Sequence, residues 1–448
     1  MKILIVSYLF FQDTMIGSIR PRMMAKYLRE YGHDVHVLTY VDRKTQLDQV
    51  FLENEIKGIG QYAFIERICR KARSPSNSIL LNKQDHLQKN VDARKNYFSL
   101  TKGSIRKTFG QLINFLEGYS WLAKCRNELK RRPFKERYDI IFSTYGPLAS
   151  LFVGKYLFKK KFARHLVCDF RDLPGSEDLP FWQLKIYNLI MSRSVMEADV
   201  VTVISDGEKA MLNQRISTQA RSKNNVQVIH NGFESRDDVV KGNNEGSDVL
   251  RISYTGIFYK EKRDMSMLFD VISECLAEGR MDASHIEIHY AGAMFNTLLK
   301  QATKFHIDGC LIDHGLVSHK ESLAIQSNSD FLVVLSWNSL REQGILTGKF
   351  YEYMAANKPI IALVSGNKSG SELSRMIDEM SLGIACEYVS YEDSRKRLKE
   401  YMLQKYEEKK VSKKLIFEPD IVKISRFDYR QIAKKLEILL YEIIKSEG

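Results

Sequence analysis

Lys349 and Glu352 open the most informative stretch of the chain, LTGKFYEYMAANKPIIAL at residues 346–363. Gly348 marks a turn, the residues after it read as an amphipathic helix, and Asn357 with Pro359 ends that helix before the apolar run 360–364. A spacing of three places the ammonium and the carboxylate on one helical face. A helix that begins at the carboxyl end of a strand offers free N–H groups and a positive dipole end. Lys349 therefore suits a phosphate oxygen and Glu352 suits sugar hydroxyls. A second cationic group, Lys260, Lys262 and Arg263, follows an apolar strand at 250–255 and Gly256, and Asp264 is placed to cap a helix beginning at Met265. Phosphates bind in such strand-to-helix loops; an ordinary solvated surface loop is the alternative. A third group, Asp169, Arg171 and Asp172, ends the strand at 165–170 and falls where the carboxyl edge of a sheet meets a ligand cleft. An Arg–Asp pair that only fixes its loop is equally consistent with that string.

The elements that must position these groups alternate strand and helix. Residues 2–7, 35–39, 138–144, 165–170, 198–205 and 226–233 read as strands of a first domain, with helices at 17–31 and 147–158. Pro21 lies in the early turns of the first helix, and Gly32 is placed to end it. The opening strand–helix–strand lacks GxGxxG and a following acidic residue, which disfavours a dinucleotide oxidoreductase. A polar run at 235–248 reads as a linker, after which strands at 250–255, 285–291, 310–316 and 330–336 restart the pattern. Ile432, Leu436, Leu439, Leu440 and Ile443 form a helical stripe near the end of the chain. The fold class expected is α/β, with two Rossmann-like domains facing a cleft.

At 448 residues with 44% hydrophobic and 27% charged residues, the chain suits two globular domains. MKILIVSYLFF is followed by Gln12, Asp13 and Thr14 and offers no small-residue cleavage site, so it reads as a buried first strand. No stretch has eighteen uninterrupted apolar residues. The six cysteines show no close pair and no metal-ligand spacing, which fits a reduced cytoplasm. The net charge of +13 is concentrated: residues 102–135 hold nine basic residues against two acidic. Ile105, Phe109, Leu112, Ile113 and Leu116 recur there at helical spacing. Such a helix either rests on anionic lipid or packs on a core with its basic face solvated. No zinc-ligand spacing, RNP-like string or basic heptad accompanies the charge, so a nucleic-acid partner is not expected.

GKFYEYMAANKPIIA resembles the signature of nucleotide-sugar glycosyltransferases of the GT-B fold, especially the retaining enzymes of family 4, and DFRD at 169–172 is similar to a string in a subset of them. The resemblance covers most of the chain apart from 41–135. It implies an N-terminal acceptor domain at 1–234 with a variable insertion at 41–135, a donor domain at 249–424, and a last helix, 425–448, returning to the first domain. By the same resemblance, Gly17 in IGSIRP lets backbone approach donor phosphate or acceptor. Lys262 matches a lysine that grips the diphosphate, while Ile257 stands where an arginine is usual, leaving Arg263 as a substitute. Gly315, Leu316 and Val317 would lie beside the nucleobase, with His314 structural. Gly348, Lys349 and Glu352 would hold the donor, and Arg171 or Asp172 would contact the acceptor or the reacting sugar. The HNGF string at 230–233 resembles a family NG motif and suits a tight turn at Asn231 and Gly232. One departure stands out: Gly344 occupies the place of the first of two glutamates normally eight apart, with Glu342 and Gln343 beside it.

The implied reaction moves a sugar from a nucleoside diphosphate to an acceptor hydroxyl with retention, in surface polysaccharide or glycan assembly. Its difficult step is departure of the diphosphate, and Lys262, Arg263 and Lys349 are the cations placed to stabilise it. No metal and no cofactor beyond the donor are expected, and domain closure would exclude water. The expected partners are a nucleotide sugar, a glycan or lipid-linked acceptor, and the inner face of a cytoplasmic membrane through 102–135. A GT-B epimerase acting on a nucleotide sugar and a non-catalytic nucleotide-sugar-binding protein are the alternatives.

Overall fold

Parallel strands buried on both faces must be apolar along their whole length, and the chain supplies such runs twice. The computed structural model describes residues 1–11, 16–41, 56–59, 115–131, 134, 136–175, 179–235, 246–259 and 262–446. The stripe residues Ile105, Phe109, Leu112 and Ile113, together with Lys260, lie outside them. The chain divides into two compact units, one of Met1–Ile204, Leu212–Ile229 and Ala433–Gly448, the other of Ser205–Met211 and His230–Ile432.

The first unit is built on a sheet of strands β1 (Lys2–Ser7), β2 (Asp34–Tyr40), β3 (Ile56–Ile59), β4 (Tyr138–Thr144), β5 (Ala163–Phe170), β6 (Val200–Val203) and β7 (Val226–Val228). Their order is β3-β2-β1-β4-β5-β6-β7, with parallel pairing throughout. The strand order reverses between β1 and β4, and the loops leaving these two strands diverge there. Ile3, Leu4, Ile5 and Val6 are fully buried, so the first eleven residues open a core strand.

Residues 115–131 are helical. Trp121, Cys125 and Leu129 enter the core, and the Trp121 indole donates to the Ile59 carbonyl at 2.9 Å. Arg126, Lys130 and Arg131 remain exposed. This part of the basic region is thus a core-packed helix with a solvated basic face. On the helix Tyr429–Lys445, Glu437 meets His33 Nε2 at 2.8 Å within the first unit. Burial alone would raise the Glu437 pKa; hydrogen bonds from Lys434 and His33 outweigh it and hold the carboxyl below its usual range.

The second unit carries β8 (Leu250–Thr255), β9 (Ile286–Ala291), β10 (Leu311–Asp313), β11 (Phe331–Trp337), β12 (Ile360–Ser365) and β13 (Gly383–Glu387). The order β10-β9-β8-β11-β12-β13 is again parallel and reverses between β8 and β11. Most of the expected linker at 235–248 lies outside the described residues; β8 begins at Leu250, and HNGF does not form a turn. Phe233 runs beside Asp428, its N–H donating to the Phe427 carbonyl at 3.0 Å and its carbonyl accepting from Tyr429 at 2.8 Å. Gly232 is glycine because a side chain there would lie 2.2 Å from the Phe427 carbonyl oxygen.

Five cysteines, 125, 168, 275, 310 and 386, are buried free thiols; Cys69 is outside the described residues. Burial pushes the thiols of Cys168 and Cys386 up to about 12. Among the described residues no helix is long and apolar enough to cross a membrane.

Asp169, at the end of β5, shows what holds the first unit's carboxyl edge. It is fully buried and accepts from Arg20 Nη2 at 2.8 Å, Thr144 Oγ1 at 2.8 Å and Thr202 Oγ1 at 2.7 Å, while Arg20 also donates to the Ile229 carbonyl. Removing one member of a buried ion pair strands the other charge. Asp169→Ala is therefore expected to lower unfolding stability by about 3 kcal/mol, read as a fall in the urea midpoint. An unchanged midpoint would remove this pair from the list of structural determinants.

Candidate functional site

In the second unit, the helix Gly348–Ala356 opens from Thr347, which makes no side-chain cap, so the first N–H groups are left for another acceptor. Asn357 in the left-handed conformation (φ 50°) ends it, and Pro359 precedes β12. Tyr353 anchors the helix to the end of β8, its hydroxyl 3.1 Å from Thr255 Oγ1. The expected pair is formed: Lys349 Nζ lies 2.8 Å from Glu352 Oε1, and both side chains are about three-quarters covered. Gln326, completely buried, donates from Nε2 to Glu352 Oε1 at 2.5 Å and to Thr255 Oγ1 at 3.0 Å, while its Oε1 has no hydrogen-bond partner. His319 Nδ1 stands 3.9 Å from Glu352 Oε2. Glu352 is thus aimed from three sides. The sequence reading missed Gln326, although a glutamine one turn ahead of an apolar strand on an otherwise polar helix was a visible oddity.

The loop after β8 meets the loop after β11. Lys262 is ion-paired with Glu342, whose Oε2 also accepts from the Trp337 indole N–H at 2.7 Å. The Lys262 ammonium lies 5.1 Å and the Arg263 guanidinium 5.9 Å from the Trp337 ring centre, and Tyr259 stacks on the same ring. Arg263 donates to the Ile257 carbonyl at 2.7 Å, and its Nε is buried without a partner. Both proposed cations therefore gather at the β8–β11 crevice. Asp264 accepts from the Ser266 N–H at 2.9 Å at the start of the next helix, Ser266–Ala277, although the capping position itself is Met265.

The backbone at Gly344 excludes a side chain. Its φ is +71°, and a side chain would lie 2.2 Å from Ser205 Oγ and 2.7 Å from the Glu208 nitrogen. The Ser205 hydroxyl donates to its carbonyl at 2.9 Å. No glutamate fits there without displacing these neighbours, and Glu342, two residues earlier, is already bound to Lys262.

Gly315 has a φ of +64°, and its carbonyl accepts from Gly292 at 2.8 Å; Leu316 beside it is 81% exposed and Val317 is half-buried. His314 stacks on His289, with Nε2 2.8 Å from His289 Nδ1, and His289 in turn reaches Glu287 at 3.0 Å. Burial, then the neighbouring His289, lowers the His314 pKa, with Asp313 opposing.

In the first unit, Arg171 donates from Nε to the Tyr145 carbonyl at 2.8 Å and from Nη2 to the Gly146 carbonyl at 3.3 Å. A side chain on Gly17 would lie 2.0 Å from Arg171 Nη1, and one on Gly146 would lie 2.2 Å from Nη2. Gly17 thus makes room for a guanidinium of the chain itself. Burial lowers the Arg171 pKa, chiefly against the pull of Asp172. Asp169 is the structural member of the DFRD string, while Asp172 is exposed.

No family model matches the chain, and no curated protein matches it in sequence. Solved structures do. Sucrose-phosphate synthase from Thermosynechococcus elongatus is 14% identical over 99% of each chain, with a TM-score of 0.59. HepE of Anabaena, solved in complex with UDP and glucose, is 14% identical over 99% of this chain and 100% of its own, TM-score 0.56. The lipopolysaccharide outer core galactosyltransferase WaaB is 13% identical over 100% of both, TM-score 0.55. The fold is therefore that of the GT-B glycosyltransferases, two parallel α/β sheets with interleaved helices.

Two outcomes test this geometry. Gly344→Glu is expected to cost about 2 kcal/mol through crowding and positive φ, measured as a lower urea midpoint; a neutral result would contradict the packing around Ser205. His314 should titrate below the ordinary histidine value in NMR. Since its folded pKa is depressed, its contribution to stability is present above pH ~6.5 and is lost as pH falls through the folded value. Replacing it by Asn should remove that step.

Proposed function

We propose that the chain transfers a glycosyl group from a nucleoside diphosphate sugar to an acceptor hydroxyl, with retention of anomeric configuration, in the assembly of a surface polysaccharide or related glycan. The observation that carries this reading is the Lys349–Glu352 pair at an uncapped helix start beside β8, with Gln326 aiming the carboxylate. Lys349 and the free N–H groups answer a phosphate, and Glu352 answers hydroxyls. The GT-B fold, shared with proteins named as glycosyltransferases, supports it.

In the reaction, the bond between the anomeric carbon and the diphosphate oxygen breaks and its electron pair leaves with the diphosphate. The acceptor oxygen bonds to the same carbon, and its proton passes to the departing group. Charge grows on the diphosphate, where fixed cations act most strongly. Lys262 and Arg263, held over Trp337, serve that need once the diphosphate replaces Glu342 as the partner of Lys262. Arg171 and Asp172 are assigned to the acceptor side and Gly315 to Val317 to the nucleobase. The chemistry as written calls for no metal, so transfer should survive chelation.

Incubation with a panel of labelled nucleotide sugars separates the readings: transfer or slow donor hydrolysis supports a transferase, an isomerised donor supports an epimerase, and binding without turnover supports a sensor or scaffold. Lys349→Ala and Glu352→Ala should each weaken donor affinity at least about ten-fold, the cost of one lost charge-assisted hydrogen bond. Affinity that stays unchanged in both variants would overturn the assignment of this helix.

A further inference from the structure

The helix Phe181–Glu197 is apolar on both faces. Tyr187, Met191 and Val195 face the core of the first unit. On the other side Phe181, Trp182, Ile186, Leu189 and Met196 are exposed, Phe181 by 72% and Trp182 by 55%. At about 100° per residue these five, with the exposed Lys185 and Arg193, fall within one arc of about 140°. The Lys185 ammonium lies over the Phe181 ring at 4.6 Å. No acidic residue occurs from 181 to 196, and Glu197 is neutralised by Lys155 and Lys159. A stripe of five large apolar side chains in water is unfavourable unless something covers it.

We infer that this stripe lies in the interface of an anionic lipid bilayer, with Trp182, Ile186 and Leu189 in the acyl boundary and Lys185 and Arg193 at the headgroup phosphates. The helix has 17 residues, short of the ~20 that span a bilayer, and two cations stand inside its apolar arc, so it lies in the plane of the membrane. Long basic side chains reach back to the headgroups from such a position, and tryptophan favours that depth. The exposed Arg126, Lys130 and Arg131 of helix 115–131 add to the positive surface of the same unit. Of the apolar stripe expected at 105–116 only Leu116 lies among the described residues, where it is 40% exposed, so the helix Phe181–Glu197 is a membrane contact proposed in addition to the one expected at 102–135. This inference is independent of the donor chemistry.

The test uses the full chain without donor, mixed with vesicles of phosphatidylcholine alone or with phosphatidylglycerol. Co-sedimentation with the anionic vesicles and a blue shift of tryptophan emission are expected. Trp121 is buried and Trp337 is stacked on Tyr259, so Trp182→Phe should abolish the shift. Ile186→Ser with Leu189→Ser should lower the partition coefficient at least about ten-fold, and Lys185→Ser with Arg193→Ser about ten-fold on anionic vesicles only. The donor-induced thermal shift should stay intact in both double variants, which separates this surface from the sugar-transfer reading. Absence of co-sedimentation, unchanged partitioning of a folded Ile186/Leu189 variant, or Trp182 shielded from acrylamide by another part of the chain or by a second copy would overturn the inference.

Discussion

A parallel sheet whose strand order reverses must send two neighbouring loops in opposite directions, and the crevice between them is the one place at its edge that backbone cannot fill. Both units meet this constraint with an arginine or lysine. At the β1–β4 reversal Arg171 inserts between Gly17 and Gly146, tied to the carbonyls of Tyr145 and Gly146. At the β8–β11 reversal Lys262 enters over Trp337 and is neutralised by Glu342. A cation in such a recess must find fixed acceptors or an anionic visitor. The two solutions differ in one respect: Arg171 is tied to carbonyl dipoles, with Asp172 and Asp169 acting on it without an ion pair, whereas Lys262 is directly paired with Glu342.

That difference bears on Gly344. The loop that would offer a glutamate is pressed against Ser205 and Glu208, so its backbone adopts a conformation that excludes a side chain. Two residues earlier in the chain, Glu342 accepts from the Trp337 indole and pairs with the Lys262 ammonium. Glu352, by contrast, is held by Gln326 and Lys349 with its second oxygen toward His319. Glu342 is thus shared between a cation and an indole, whereas Glu352 directs one oxygen at Gln326 and Lys349 and the other toward His319.

Much of this fold is legible in the sequence because burial on both faces forces continuous apolar runs: the expected strands at 2–7, 138–144 and 250–255 coincide with β1, β4 and β8. The Lys349–Glu352 pair is legible because helical spacing alone decides it. Gln326 and Trp337 are not, since their roles depend on partners 26 residues distant or on a neighbouring strand's loop. Resemblance points Gly17 at a ligand and a local turn rule accounts for Gly232, yet each is set by a distant group of the chain, Arg171 or the Phe427 carbonyl. The exposed face of Phe181–Glu197 escaped notice for a related reason. With apolar residues all round, periodicity gives no signal, and only packing tells which face is left uncovered.

The buried thiols have a practical corollary. A thiol whose ionisation is pushed several units upward, inside a core that solvent does not reach, reacts negligibly with maleimides or iodoacetamide. Cys168 and Cys386 are therefore a silent background, and Cys125, Cys275 and Cys310 are likewise buried from reagents. Once Cys69 is replaced by serine, a single cysteine introduced on an outward-facing helix position could carry a fluorophore or spin label, and the labelled molecule would report local polarity without first stripping the core of its sulfur.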